Sequence, residues 1–253
     1  MKWVIYSLMR RGSERVPNKL LQKIWTPVGF VTLMEWNAVR MRKWSEELDI
    51  PYYLGVSWED VEMLGPEFNT FERNPESLES EDVLTIHGCV PPRFDIYDMA
   101  LHVNACCPFL TRKTIQNFMA GLEGEYTDTA GGSVWPSREE CGFAYSKTAR
   151  LFPPHMQQLQ QNTKIDPVFY VQDRTMVAFP ATDIGRRELP VAGHVPIGPW
   201  RPELIDIDRP GDIGLVAAYA AYQWHMYSEP TTGAEYANDC QPVAASGRWG
   251  GYP

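Results

Sequence analysis

Cysteine is scarce in this chain, and the five present form an odd set: Cys89, Cys106, Cys107, Cys141 and Cys240. They contain no C-x-x-C pair and share no zinc-ligand spacing with the five histidines, His87, His102, His155, His194 and His225. A disulfide framework is not expected, the adjacent Cys106–Cys107 pair reads as a buried apolar step, and a reducing, cytoplasmic setting follows. The histidines show no spacing that suggests a shared site and read as ordinary structural or surface residues. No apolar run approaches the roughly 18–20 residues of a membrane helix. The opening MKWVIYSLMRR lacks the cleavage site and charge order of a signal peptide and reads as a first strand. A basic excess is missing too: 23 Lys and Arg face 32 Asp and Glu, a formal charge of -9, so no broad positive surface exists for nucleic acid. There is no G-x-S-x-G elbow and no internal repeat. With 44% hydrophobic residues over 253 positions, the composition is that of a globular protein of one large domain or two small ones.

Against that acidic background, positive charge is concentrated in one place. YSLMRRGSERVPNKLL (6–21) puts Arg10, Arg11, Arg15 and Lys19 around Gly12 and Ser13, directly after the first apolar run. A P-loop requires G-x-x-x-x-G-K-[ST], and no second glycine follows Gly12 here. The segment is either a solvated cationic loop or a local phosphate cradle, in which a Gly-Ser turn offers backbone N–H groups.

The coarse pattern alternates strand and helix through the first half: a strand at 2–8, a helix at 28–48, a strand at 50–57, a short helix from Trp58, a strand at 97–109 and a helix at 111–123 capped by Thr111. Asp95 and Asp98 read as turn or capping residues. Such alternation predicts an α/β sheet of mostly parallel strands with ligands outside their carboxyl ends, where 10–19 lies. From about 126 to 180 the pattern changes to short strands between Pro-rich loops (GFAYSK, VFYVQ, TMVAF). A strand ELIDID (203–208) then precedes a helix at 210–227, and the Gly/Pro-rich tail 229–253 reads as an extended strap or as disordered.

Asp206 and Asp208 are two apart, so in a strand both carboxylates face one side. Like charges so placed repel unless a cation lies between them, and magnesium suits a carboxylate pair completed by substrate phosphates. The bland alternative is one helix cap and one solvated Asp. An EF-hand is excluded because Pro210 and Ala217 occupy its fifth and twelfth positions. A cationic cluster at one strand end and an Asp pair at another fit nucleotidyl transfer.

These stretches resemble a known family, the cytidylyltransferases that activate acidic sugars: the CMP-sialic (acylneuraminate) acid synthetases and their Kdo relatives. LMRRGSERVPNKLL is similar to the opening A-R-x-G-S-K-R-[IL]-P-x-K-N, matched by Arg10, Gly12, Ser13, Arg15, Pro17, Asn18 and Lys19. VNACCPFLTRKTI (103–115) resembles L-Q-P-T-S-P-L-R-x-x-x-x-I, with Asn104 at the Gln position. FERNPESLESED (71–82) resembles R-P-x-x-L-A-x-D, placing Arg73 and Asp82, and ELIDIDRPGD resembles S-I-D-I-D-T-P-E-D. The resemblance implies a three-layer α/β sandwich with a mostly parallel twisted sheet, of the nucleotide-diphospho-sugar transferase type, over 1–228. It implies a homodimer, with 126–180 as a dimerisation or acceptor-side subregion. The implied reaction is attack of an acidic-sugar hydroxyl on the α-phosphate of CTP, with pyrophosphate released. Arg10, Gly12, Ser13, Arg15, Asn18, Lys19 and Arg73 would bind the nucleotide, with Arg10, Lys19 and Asp208 carrying catalysis. Asp206 and Asp208 would hold Mg2+, and Asn104 would face the acceptor. The chain departs from the pattern at Leu20, where the family has a cytosine-reading Asn, at SWED (57–60), at DRTMVAF (173–179), and at Asn104, one methylene shorter than Gln. A sialic-type (nonulosonic) acid is the expected acceptor. Kdo, a phosphonate or another nucleotide triphosphate are the alternatives within that chemistry, and a nucleotide-binding homologue without turnover is the alternative outside it.

Overall fold

The computed structural model describes residues 1–13, 15–26, 29–80, 83–125, 130–137, 144–145, 151–152, 169–184, 191–196 and 205–227; Asp82, Cys141, His155 and the 229–253 tail fall outside them. Strand β1 (Trp3–Leu8) is built from aromatic and β-branched residues, and its successive side chains enter opposite cores. Trp3 and Ile5 join a large cluster on one face, while Val4 and Tyr6 join a smaller one on the other. Burial on both faces makes the strand read as a continuous apolar run and places it centrally. It pairs in parallel with β4 (Tyr52–Val56) and β6 (Met99–Val103), and β5 (Thr70–Glu72) adds in parallel to β4.

Beyond β6 the sheet turns mixed. Strand β10 (Phe169–Pro180) lies antiparallel to β6 and to β7 (Ala130–Ser137), with a register shift between Gln172 and Val177, and β11 (Val191–Pro196) is parallel to β7. The order is β11-β7-β10-β6-β1-β4-β5, with β8 (Ala144–Tyr145) and β9 (Leu151–Phe152) attached through β10. FYVQ (169–172) and TMVAF (175–179) thus belong to one strand of twelve residues, and the described part of 126–180 extends the main sheet.

The expected helix at 28–48 is shorter. Gly29–Thr32 forms β3, antiparallel to β2 (Lys23–Thr26), and α1 spans Leu33–Leu48. A capping box sets that boundary: the Glu35 amide donates to Thr32 Oγ1 at 3.1 Å, and the Thr32 amide donates to Glu35 Oε2 at 2.7 Å. Helices α2 (Trp58–Leu64), α3 (Pro75–Glu79), α4 (Val83–His87), α5 (Arg112–Glu125) and α6 (Pro210–Tyr227) follow. Thr111 caps α5 as expected, accepting the Thr114 amide at 3.3 Å. Leu33, Met41 and Trp44 of α1, Phe118 and Leu122 of α5, and Val216 of α6 cover the large core face. Phe94 and Ala181 cover the other, completing three layers.

Of the strand that the pattern predicts at 203–208, residues 203 and 204 lie outside the described residues, and Ile205–Asp208 makes no ladder. Its alternation comes from Ile205 and Ile207 packing on the large core, and the Ile207 amide donates to the Cys106 carbonyl at 3.0 Å. Pro210 then opens α6, and Asp212 Oδ2 accepts the amides of Asp208 (2.8 Å) and Arg209 (2.6 Å), fixing the approach to the helix. Among the described residues, no helix is long and apolar enough to cross a membrane.

Candidate active site

Strands β1 and β6 are parallel neighbours, so Leu8 and Val103 end at the same edge of the sheet, where α/β folds bind ligands. A cavity of about 450 Å³ opens there. Arg10, Gly12, Ser13, Arg15, Lys19, Arg73 and Asp208 line it, together with the apolar side chains of Leu8, Leu20 and Ile86, and with His102 and Cys106. The two clusters singled out in the sequence, 189 positions apart at Lys19 and Asp208, therefore meet in one cavity.

The cations divide by what holds them. Arg10 reaches across to the end of α3, donating to the carbonyls of Leu78 (3.1 Å) and Ser80 (2.9 Å). Arg11 Nε donates to Asp60 Oδ1 at 2.6 Å; that fully buried carboxylate also accepts the Ser57 hydroxyl at 2.8 Å. Arg15 pairs with Asp208 Oδ2, and Lys19 Nζ lies 3.7 Å from Asp208 Oδ1. Arg73 is buried at 3% exposure and donates to the Met9 carbonyl at 3.1 Å and to Ser77 Oγ at 2.8 Å, so its guanidinium ties the end of β1 to α3. Asn18 is not a lining residue. It stands outside in the left-handed conformation (φ 52°) and caps the short 3-10 turn Lys19–Leu21 that presents Lys19.

The loop after β6 faces this cluster. Asn104 Oδ1 accepts the Cys106 amide at 2.9 Å, and Asn104 Nδ2 lies 3.5 Å from Asp206 Oδ2, a weak contact. Burial pushes the Cys106 thiol up to about 11, with Lys19 opposing, so the thiol is protonated. Beneath the cavity, Tyr6 Oη and His87 Nδ1 are 2.8 Å apart, and the His87 and His102 rings are 4.8 Å apart, a pairing that spacing concealed. Burial, reinforced by Arg73, lowers His87 to about 4; burial, then His87 and Arg73, holds His102 well below its usual value. Both imidazoles are neutral at pH 7.

Asp206 and Asp208 are the residues that could offer oxygens to a divalent cation. Asp206 Oδ1 is buried and has no hydrogen-bond partner, a costly state for a carboxylate oxygen unless a cation or water fills the gap. Burial raises the Asp206 carboxyl; Lys19 opposes this and Asp208 adds to it. Among the described residues no cluster of three or more His, Cys, Asp or Glu could enclose a metal. Of the two carboxylates, Asp208 lines the cavity and Asp206 does not; an ion such as Mg2+ could be held by one or two carboxylates while keeping most of its sphere for water and phosphate oxygens.

Sequence reading missed the anchoring role of Arg11, whose partner was signalled by the S-x-x-D pattern of Ser57 and Asp60 at a strand end. It also missed the α1 side chains that hold the 104–110 loop. Their contacts span about seventy positions and leave no local signature.

No protein-family model and no curated protein matches the chain. Solved structures do. A CMP:2-keto-3-deoxy-manno-octonic acid synthetase complexed with CTP is similar over 88% of this chain and 100% of its own, with a TM-score of 0.62 and 14% identity. The 4-diphosphocytidyl-2C-methyl-D-erythritol synthase of Anaerococcus prevotii DSM 20548 is similar over 87% of this chain and 99% of its own, with a TM-score of 0.51 and 13% identity. The chain therefore has the nucleotide-diphospho-sugar transferase fold: a mostly parallel sheet around β1, flanked by helices and ending in a cation-lined cavity.

Proposed function

We propose that the protein is a nucleotidyltransferase that moves CMP from CTP to the hydroxyl of an acidic sugar, a nonulosonic acid of the sialic type, and releases pyrophosphate. One observation carries this reading: Arg10, Ser13, Arg15, Lys19 and Asp208 share one cavity at the carboxyl ends of β1 and β6. The bond that forms joins the acceptor oxygen to the α-phosphorus, and the α–β phosphoanhydride bond breaks. Catalysis of such a displacement is positioning and charge stabilisation. Lys19 and Arg15 exchange Asp208 for phosphate oxygens, and Arg10, held at α3, orients its charge toward the same cavity. Asp206 and Asp208 would hold Mg2+, which supplies charge neutralisation at the phosphates and the leaving pyrophosphate. Asn104 faces the acceptor.

Kdo as the acceptor is the second reading, favoured by the likeness to a CMP:2-keto-3-deoxy-manno-octonic acid synthetase. The test is magnesium-dependent pyrophosphate release from CTP, UTP, ATP and GTP against sialic acids, Kdo and phosphonates. Release with CTP and a sialic acid supports the first reading, and release with Kdo alone the second. Release with another nucleotide only overturns the base assignment.

A further inference from the structure

Three side chains of helix α1 reach the loop that follows β6. Asn37 Nδ2 donates to the Ala105 carbonyl at 2.5 Å, and Trp36 Nε1 donates to the Pro108 carbonyl at 2.9 Å. Arg40 donates to the carbonyls of Pro108 (2.7 Å), Leu110 (3.2 Å) and Cys107 (3.1 Å), and to Asn37 Oδ1 at 2.5 Å. Its guanidinium carbon sits 5.7 Å from the Trp36 ring centroid and 5.0 Å from that of Trp44. A guanidinium only 2% exposed is costly to bury, and a planar fork is the group that can meet several fixed carbonyls at once.

What this arrangement holds extends past the loop. Between the clamped carbonyls of Ala105 and Cys107 lies that of Cys106, which accepts the Ile207 amide at 3.0 Å. Ile207 separates Asp206 from Asp208 in a segment that has no sheet ladder. We infer that Arg40, with Asn37 and Trp36, is a positioning residue: it fixes the Cys106 carbonyl and through it the spacing of the Asp206–Asp208 pair. The clamp itself is independent of function; its value for metal binding rests on the proposed nucleotidyl transfer.

The experiment is amide hydrogen exchange on the full chain and on its Arg40→Lys and Trp36→Phe variants. Lysine keeps the charge but loses the fork, and phenylalanine removes the Nε1–H donor together with one ring of the buried indole. The Ile207 amide is the reporter. The Leu54 amide of β4, which donates to the Asn69 carbonyl at 2.8 Å, is the reference for general loosening. Exchange at Ile207 is expected to rise about tenfold in Arg40→Lys, and less in Trp36→Phe, with Leu54 changing under about twofold. Equal acceleration at both amides, or none at Ile207, overturns the inference; if Arg40→Lys fails to fold, Trp36→Phe decides it alone. Mn2+ binding read by electron paramagnetic resonance in the presence of CTP separates the two layers. An Ile207 response in a protein that takes up no Mn2+ upholds the clamp and sinks the metal reading. Mn2+ uptake that weakens in step with Ile207 exchange supports both.

Discussion

Replacing Asp208 with asparagine should change nucleotide affinity in opposite directions with and without magnesium. In the structure Asp208 holds both cations that the proposed function assigns to phosphate: Arg15 directly, and Lys19 at 3.7 Å. A metal-free triphosphate must displace these pairs to reach the same side chains. Coulomb's law at an effective dielectric near 20 gives about 4 kcal/mol for charges about 4 Å apart. Screening lowers that sharply, because the Arg15 side chain is 64% exposed and that of Asp208 36%. Exposed pairs are worth about 0.2–1 kcal/mol, and Lys19, at 15%, belongs near the upper end. Releasing both is then worth roughly 1 kcal/mol, or about fivefold in Kd. Isothermal titration with CTP in EDTA should therefore show Asp208→Asn binding about fivefold tighter than wild type. With magnesium the order should reverse, since the variant has lost a charged oxygen donor. Metal-free affinity that is unchanged or weaker in the variant would refute the competition between Asp208 and phosphate.

Lys19→Ala should weaken CTP binding by about 1.5–3 kcal/mol, the range for hydrogen bonds to charged groups; an unchanged Kd by titration moves the phosphates elsewhere. Stability should rise with pH between about 4 and 6.5, because His87 is depressed from 6.5 to about 4 in the fold and the unfolded chain binds more protons in that window. The depression corresponds to about 3 kcal/mol, so urea midpoints should be lower at pH 4.5 than at 7, and His87→Asn should flatten the slope. Gly55→Ala should destabilise by about 1–3 kcal/mol, since a Cβ there would lie 2.6 Å from Leu8 Cδ2 and 2.6 Å from Phe71 Cζ. Thermal unfolding unchanged from wild type would mean that β4 and β5 yield more easily than their packing suggests.

The sequence made legible those elements whose pattern had one cause. WVIYSL is apolar because both faces are buried, and the helix at Pro210–Tyr227 carries its proline start and its Asp212 cap within a few residues. Patterns with two possible causes misled. Phe30 and Val31 sit at helical spacing from α1, so β3 was absorbed into a helix until the Thr32–Glu35 capping box marked the true start. The I-D-I-D alternation looks like a strand, but Ile205 and Ile207 follow a core surface with no neighbouring ladder. At the site, residue types pointed to charge but not to its use. Nothing local distinguishes Arg10 and Arg11, tied to α3 and Asp60, from Arg15 and Lys19, which meet Asp208. Arg73 matched a nucleotide-binding motif, yet its donors are spent on Met9 and Ser77, which come together only in the fold.

The most direct measurement of the central claim is phosphorus NMR of a reaction holding the protein, CTP, magnesium and a sialic-type acid. Nucleotidyl transfer predicts a new phosphodiester resonance for CMP joined to the acid, growing in step with pyrophosphate and absent with Asp208→Asn. Free CMP without the phosphodiester, or CTP left intact by a folded protein across the acidic-sugar panel, would contradict it.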